Sequence, residues 1–559
     1  MALQVINGIG TAGIRGPSSN QSNQVSFDTD AQAFITAASL TDTTQTNAVN
    51  DLVLDLKAAG LWTKISTLYP MVGGTATSHK FNLKDPRDLD GAYRLVFNGG
   101  WTHNANGATP NGTDAYAKTF ISTSVIGLNT GHLSYYSRTN DLTTNVNMIE
   151  LGAYKSAPDS YTGIQIRSAS WSVFRWNNGT SAPTVGISDT LGLYVASRTG
   201  GAVMKGYKNG YVIAGFSTGA ASYATSTIKM YLGAGNSVGT SNTVTDAPSS
   251  YSNKQCAFAS VGSGFTDSES QIFYQIVEKF QYVLGRNVNT SKSFYFNRNY
   301  SIETNMFIFN AGITDGTQMS AVDTLVTTLK TSGLWTKMKA VYPMVGGTAL
   351  AHKFNLLNPV DSTSAYALTY FGGWDHSVSG ATPNGGNAYA NTSIFNNVLT
   401  NNNTHLSYYS KTNVSEAGIE MGINGTSNVR IALYLRYNST PTYVNQFIST
   451  QYSFTGTQVL TPSSDSLGYF IGSRTSDTVH KGYKNGIQLG STNTTPSTTN
   501  ITSGSRPIYL GALNNLNVAT GYSTKQCAFA TIGDGLTDAE VTTLTDAVQA
   551  FQTTLGRQV

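Results

Sequence analysis

The residues of this chain that could do chemistry are a few carboxylates, histidines and tryptophans, and most of them are written twice. Gly60-Leu61-Trp62-Thr63-Lys64, running on to Tyr69-Pro70-Met71-Val72-Gly73-Gly74, returns as Gly333-Leu334-Trp335-Thr336-Lys337 and Tyr342-Pro343-Met344-Val345-Gly346-Gly347. A required catalytic group should therefore appear in both copies. Glycoside hydrolysis, the first chemistry to test, needs two carboxylates ~5–9 Å apart across the scissile bond. The matched acids are Asp42/Asp315, Asp88/Asp361, Glu150/Glu420, Asp189/Asp465, Asp267/Asp538 and Glu269/Glu540. Asp42, Asp267 and Glu269 read as helix-start residues, and Asp88 as part of a turn after Asp85-Pro86. Only Glu150 and Glu420 fall in strand-like runs, and neither has a second acid two or four residues on, where it would share a face of the strand. A hydrolase would have to pair Glu150 with a distant acid such as Asp189. Glu150 reads instead as solvated or paired with an arginine. With no shared catalytic set, the chain is read as a non-enzyme.

Six of the seven histidines form matched pairs, His79/His352, His103/His376 and His132/His405. Brought together they could hold a metal, but they are far apart in sequence and lack a nearby acid or thiol. Hydrogen-bonded histidines at strand ends are the simpler expectation. No metal and no cofactor are predicted. Trp101 and Trp374, in Gly-Gly-Trp-x-His, follow a strand and precede a Gly-rich loop. An indole there could stack on a sugar with His103 or His376 as polar partner, so these four are the candidate glycan contacts. Trp62 and Trp335 read as core, and Trp171 and Trp176 are confined to the first copy. Neither a nucleophile elbow nor a phosphate-binding loop is present; Val72-Gly73-Gly74-Thr75 reads as a turn.

These groups must be positioned by two units of roughly 260 residues, each large enough for its own core. The expected division is a flexible arm over 1–27, a first domain over 28–288, a linker over 289–300 and a second domain over 301–559. Charged residues make up 11% of the 559, replaced by Ser, Thr, Asn and 56 Gly, with 31 Tyr and 23 Phe; this composition favours β-structure with a neutral polar surface. The net charge of +4, without a basic stripe, argues against nucleic acid. No apolar run reaches membrane-spanning length, and no signal peptide is recognisable. Cys256 and Cys527, in the repeated Lys-Gln-Cys-Ala-Phe-Ala, read as small buried hydrophobes in a protein assembled under reducing conditions.

Each domain should open with a helix capped near Thr41 or Thr314 and closed by Gly60 or Gly333, followed by a short helix over Leu61–Tyr69. Strands are expected at Ala92–Phe97, His132–Ser137, Met148–Leu151, Leu191–Ala196, Lys229–Leu232 and Gln255–Val261. Asn209-Gly210 and Asn485-Gly486 mark hairpins. Thr266-Asp267-Ser268-Glu269 and Thr537-Asp538-Ala539-Glu540 are capping boxes opening a closing helix. The fold class is mainly β, two tandem sandwiches with helices outside.

The Lys-Asn-Gly hairpin, then Tyr-Leu-Gly-Ala, then Cys-Ala-Phe-Ala, then Thr-Asp-x-Glu resembles concanavalin A-like, laminin-G-like jelly rolls. The words Tyr-Pro-Met-Val-Gly-Gly-Thr-Ala, His-Lys-Phe-Asn-Leu, Gly-Gly-Trp-x-His, Gly-Ala-Thr-Pro-Asn-Gly and Phe-Gln-Thr-Thr-Leu-Gly-Arg-Gln-Val resemble lectin-type domains of tailed-bacteriophage virion proteins. The resemblance covers nearly all of both repeats. It implies a structural virion protein on the particle surface, made in the host cytoplasm. Its implied partners are other virion proteins, reached through the N-terminal arm, and a glycan; the oligomeric state stays open. A carbohydrate-binding adhesin is the alternative and a glycoside hydrolase the least supported reading.

Overall fold

The computed structural model describes residues 27–143, 147–156, 159–178, 182–216, 225–238, 246–289, 296–425, 429–439, 441–453, 458–497 and 506–559. The N-terminal arm through residue 26 and the centre of the linker, 290–295, lie outside them. Each repeat is a three-layer stack of helices, a first antiparallel sheet and a second antiparallel sheet. In the first repeat the helix-backed sheet runs in spatial order Tyr211–Phe216, Met204–Lys208, Gly192–Arg198, Gly131–Ser137, Cys256–Gly262, Gly107–Pro110 and Trp101–Asn104. The facing sheet runs Thr184–Gly186, Trp171–Asn178, Asp159–Ser168, Leu151–Ser156, Tyr231–Leu232, Tyr116–Lys118 and Val96–Asn98. The second repeat has the same order, from Ile487–Asn493 to Trp374–Ser377 in one sheet and from Val459–Pro462 to Thr369–Phe371 in the other.

Alternation along the strands makes two cores per repeat. Leu133, Tyr135, Ala259 and Val261 face the second sheet, whereas Tyr136, Leu193, Tyr207 and Phe258 face the helices. The helices Thr43–Ala58 and Asp267–Val283 bury Val49, Leu52, Val53 and Ile276, Val277, Phe280 against them. Among the described residues, no helix covers the outer face of the second sheet.

The hairpin signals hold in detail. Asn209 and Gly210 have φ 51° and 80°, and Asn485 and Gly486 have 49° and 80°, the paired left-handed residues of a tight two-residue turn. Both capping boxes close, with Thr266 and Glu269, and Thr537 and Glu540, bonding each other's backbone. Cys256 and Cys527 are fully buried on central strands, and burial pushes both thiols up to about 12.

Several expectations are corrected. The opening helix is capped by Asp42 or Asp315, not by the threonine before it, and an unforeseen helix, Thr29–Ala37 or Ile302–Ala311, precedes it. Leu61–Tyr69 is no second helix. It is a single turn, Trp62–Lys64, then the strand Ile65–Tyr69, paired with Cys256–Gly262. Its helix-like apolar spacing reflects a strand buried on both faces. Ala92–Phe97 is broken by a turn at Asp90–Ala92 and by left-handed Tyr93, leaving Val96–Asn98. The strand expected from Met148 starts at Leu151, so Glu150 stands just before it, and the strand expected from Lys229 is only Tyr231–Leu232. Trp62 and Trp335 are half-buried at the core margin, where Lys84 Nζ sits 3.6 Å from the Trp62 ring. Trp176 is fully buried, while Trp171 is 52% exposed.

The repeats join through an apolar contact. Met306 and Phe309, on the first helix of the second repeat, and Phe296 belong to the first repeat's helix-side core. Phe309 packs edge-on against Tyr274 at 5.9 Å, and the Asn310 amide oxygen accepts from Tyr211 at 2.9 Å. Arg298 reaches back to Asp51 at 2.6 Å and Asp55 at 2.8 Å.

Candidate functional site

Trp101 and Trp374 lie on edge strands where the two sheets of each sandwich come close. Trp101 is half-buried; its ring meets Phe97 of the facing sheet edge-on at 5.1 Å. The ring tip lies over Gly233, where any Cβ would come within 2.7 Å of it. Trp374 repeats this against Tyr370 at 5.2 Å and over Gly511. Each indole thus closes the edge of its sandwich while leaving part of itself exposed. The indole N–H is buried without a hydrogen-bond partner in either copy among the described residues.

The histidines separate into two groups. His79 and His103 meet, Nδ1 to Nδ1 at 2.9 Å, as do His352 and His376 at 3.0 Å. Such a bond needs one ring to donate and the other to accept, so the two rings of a pair cannot both be protonated at once. Burial, then the neighbouring ring and the nearby guanidinium, push His79 and His352 down to about 3. His103 and His376 have therefore committed Nδ1 and keep only Nε2 for a ligand. His132 lies elsewhere, its Nδ1 2.6 Å from the Ser263 carbonyl and its Nε2 2.9 Å from Ser260 Oγ; His405 matches it at Asp534 and Thr531. No group of three potential metal-binding side chains gathers among the described residues.

The guanidinium beside the histidine pair was not singled out from sequence. Arg286 is fully buried and donates to the carbonyls of Pro70, Met71, Ala105 and Ala257 and to the Gln281 amide oxygen, at 2.6–3.3 Å. Arg557 does the same with Pro343, Met344, Val378, Ala528 and Gln552. Met71 and Met344 adopt left-handed φ of 49° and 48°, turning these carbonyls toward the arginine. The most conspicuous repeated word, Tyr-Pro-Met-Val-Gly-Gly, is thus the cradle of a buried cation. The visible signal was the pairing of that word with Leu-Gly-Arg at each domain's end.

Glu150 and Glu420 are neither solvated nor bound to arginine. Glu150 is fully buried, accepts from Ile166 N–H at 2.6 Å and Ser252 Oγ at 3.1 Å, and faces Lys254 Nζ at 3.7 Å. Glu420 accepts from Leu435 N–H and Ser523 Oγ and pairs with Lys525 at 3.0 Å; Lys525 also holds Glu416 at 2.8 Å. Burial raises both glutamates' affinity for a proton, against the pull of the lysine. Asp189 is tied to Lys208 at 2.7 Å. Each of these acids has a local structural partner.

Aromatic side chains on the uncovered sheet face escaped sequence reading. Phe371 stacks on Tyr389 at 4.8 Å and 12°, and Tyr389 on Tyr509 at 4.6 Å and 31°. These rings come from neighbouring strands, and Phe371 ends the row on the edge strand, 42% exposed. The first repeat keeps Tyr116 on Tyr231 at 4.9 Å, with Asn98 beside Tyr116 in register where the second has Phe371 beside Tyr389. The row ends two glycines before Trp374, so row and candidate tryptophan share one edge of the sandwich. Cross-strand neighbours create such rows, and the pairing of distant strands is not legible in a linear sequence.

Fold and site define a tandem of helix-backed β-sandwich domains. No protein-family model matches the chain, and no curated protein does. Among solved structures it is similar to domain 4 of a GH43 extracellular arabinanase from Geobacillus stearothermophilus, in complex with arabinotriose. That match has 14% identity and a TM-score of 0.26, over 37% of this chain and 98% of that one. A mutant of Trypanosoma rangeli sialidase displaying trans-sialidase activity matches at 14% and 0.29, over 44% and 40%. The binding domain of botulinum neurotoxin DC, in complex with rat synaptotagmin II, matches at 11% and 0.26, over 80% and 94%. The mainly-β assignment stands on the sheets of this chain itself.

Proposed function

We propose that this chain is a structural protein displayed on the surface of a bacteriophage virion, whose two lectin-like sandwiches hold glycan at the open faces of their outer sheets. The observation that carries the glycan reading is the aromatic row in which exposed Phe371 and half-buried Tyr389 lie against buried Tyr509, matched in the first repeat by half-buried Tyr116 against buried Tyr231. Such rows, at an edge lined by amides and hydroxyls, offer the apolar platform and nearby polar groups that sugar rings use. Trp101, His103, Trp374 and His376, at the same edge of each sandwich, are further candidate contacts. Two weak sites on one chain strengthen each other through effective concentration. The repeated lectin-type vocabulary, the tandem build and the low charge support the virion assignment, with the N-terminal arm as its attachment to other virion proteins.

A glycan array read with the intact protein and with a Phe371→Ala/Tyr389→Ala variant tests the glycan reading. Binding that falls at least tenfold in a folded variant supports it; binding unchanged there and in Trp101→Ala/Trp374→Ala removes it. Mass spectrometry of purified particles tests the other half, and absence of the chain from them overturns the virion assignment.

A further inference from the structure

The second repeat carries another aromatic cluster on the same open face, away from the edge row. It lies on the ribbon formed by Arg430–Ser439 and Tyr443–Ser453. Tyr434 forms the floor and is 2% exposed, with Ile448 opposite it in register. Tyr437 stands edge-on to Tyr434 at 5.1 Å, and Tyr443 edge-on to Tyr437 at 5.8 Å. The half-buried Tyr437 and Tyr443 rise as walls of a shallow groove, with Thr450 and Arg430 along it. Arg430 donates to Tyr434 Oη at 3.3 Å and to Asn424 Oδ1 at 3.2 Å. It forms no ion pair among the described residues, and no carboxylate lines the groove. Glu416, the acid bridged through its backbone to Tyr437, is committed to Lys525 and Thr524.

The first repeat serves as an internal control. There the corresponding ribbon satisfies its cation from within: the Arg175 guanidinium lies 4.2 Å over the Tyr161 ring and donates to Gln165 Oε1 at 2.6 Å. In the second repeat Arg430 meets Tyr434 at its hydroxyl and lines an opening together with Tyr437 and Tyr443. An arginine held in place by neutral partners, beside half-buried aromatic walls and without a protein carboxylate, is arranged for a planar anionic group joined to a stackable ring.

We propose that this groove binds a saccharide bearing a carboxylate, a uronic- or sialic-acid-type sugar, with its ring against Tyr437 and Tyr443 and its carboxylate on Arg430. The proposal rests on the glycan-binding reading above and narrows it to one repeat and one sugar class. The test uses the full chain against immobilised uronic- and sialic-acid oligosaccharides beside their carboxyl-reduced, neutral counterparts. Expected is a preference of at least tenfold for an acidic member, abolished by Arg430→Gln, while Tyr443→Ala weakens its binding about tenfold; thermal melting confirms that both variants fold. Equal retention of acidic and neutral forms, or a preference that survives Arg430→Gln, overturns the proposal. If neutral binding is present and is lost in Phe371→Ala/Tyr389→Ala, the broader reading stands even though this one falls. Failure of the unaltered chain to hold any glycan removes both.

Discussion

The two repeats agree where they hold themselves together and differ where they face outward. Both bury an arginine under the same turn, pair the same histidines and open the last helix with the same capping box. Their closing helices nonetheless have opposite surroundings. Asp267–Val283 is buried along an unbroken run from Ser270 to Glu278, and Tyr274 on it packs against Phe309 of the second repeat. Asp538–Thr554 exposes Ala539, Thr542, Asp546 and Ala550. Likewise Phe309, buried at the junction, follows the core pair Phe307-Ile308, whereas exposed Thr36 follows Phe34-Ile35 in the first repeat. Identity between copies marks what folds a domain; divergence marks what touches something else.

The largest expected effect tests the shared part. Arg286→Met and Arg557→Met each strand several buried carbonyls that had charge-assisted bonds, and each should cost at least about 3 kcal/mol. Calorimetry should show the two losses to be similar; a large disparity would break the equivalence of the cradles. The lysine variants should separate the copies. Lys525→Met leaves Glu416 and Glu420 facing each other without a cation, whereas Lys254→Met strands Glu150 alone. About 3–5 kcal/mol is expected for either, with Lys525→Met the worse; denaturant titration reads the order, and the reverse order contradicts this account of the buried pairs.

Phe309→Ala should cost about 3 kcal/mol at the junction and split a joint melting transition into two, while Thr36→Ala changes little; an unsplit transition would mean that the junction does not couple the repeats. The smallest effect is one of pH. Burial pushes Glu278 up to about 7, and it accepts from Tyr136 at 2.9 Å, where the second repeat has neutral Gln549 bonded to Tyr409. The folded state therefore holds this proton more tightly than the unfolded chain. Its contribution is full below about 4.5 and is lost as pH rises through about 7. Glu278→Gln should flatten the stability of the first repeat across that window and leave the second untouched; a pH profile unchanged by the substitution rules out Glu278 as its source.

The hairpins and closing helices were legible because Asn-Gly turns and capping boxes are decided within four residues. The Leu61–Tyr69 strand was misread because burial on both faces removes the alternation that identifies a strand. His79 and His103 were visible as a repeated pair of types, but their contact depends on a short helix and an edge strand meeting. Glu150 was expected to be open to water because nothing local announces a lysine that approaches only when Leu151–Ser156 and Cys256–Gly262 are stacked.

By itself the sequence determined that there are two copies of one mainly-β domain, and where their turns and helix ends fall, since those follow from backbone preferences and periodicity along a few neighbouring residues. Only the tertiary structure decided which charges are buried, which histidines touch and which aromatic rings form a surface. Those outcomes depend on strand pairing and layer packing between residues from tens to more than two hundred positions apart, where the cost of desolvation and the gain of contact are set together.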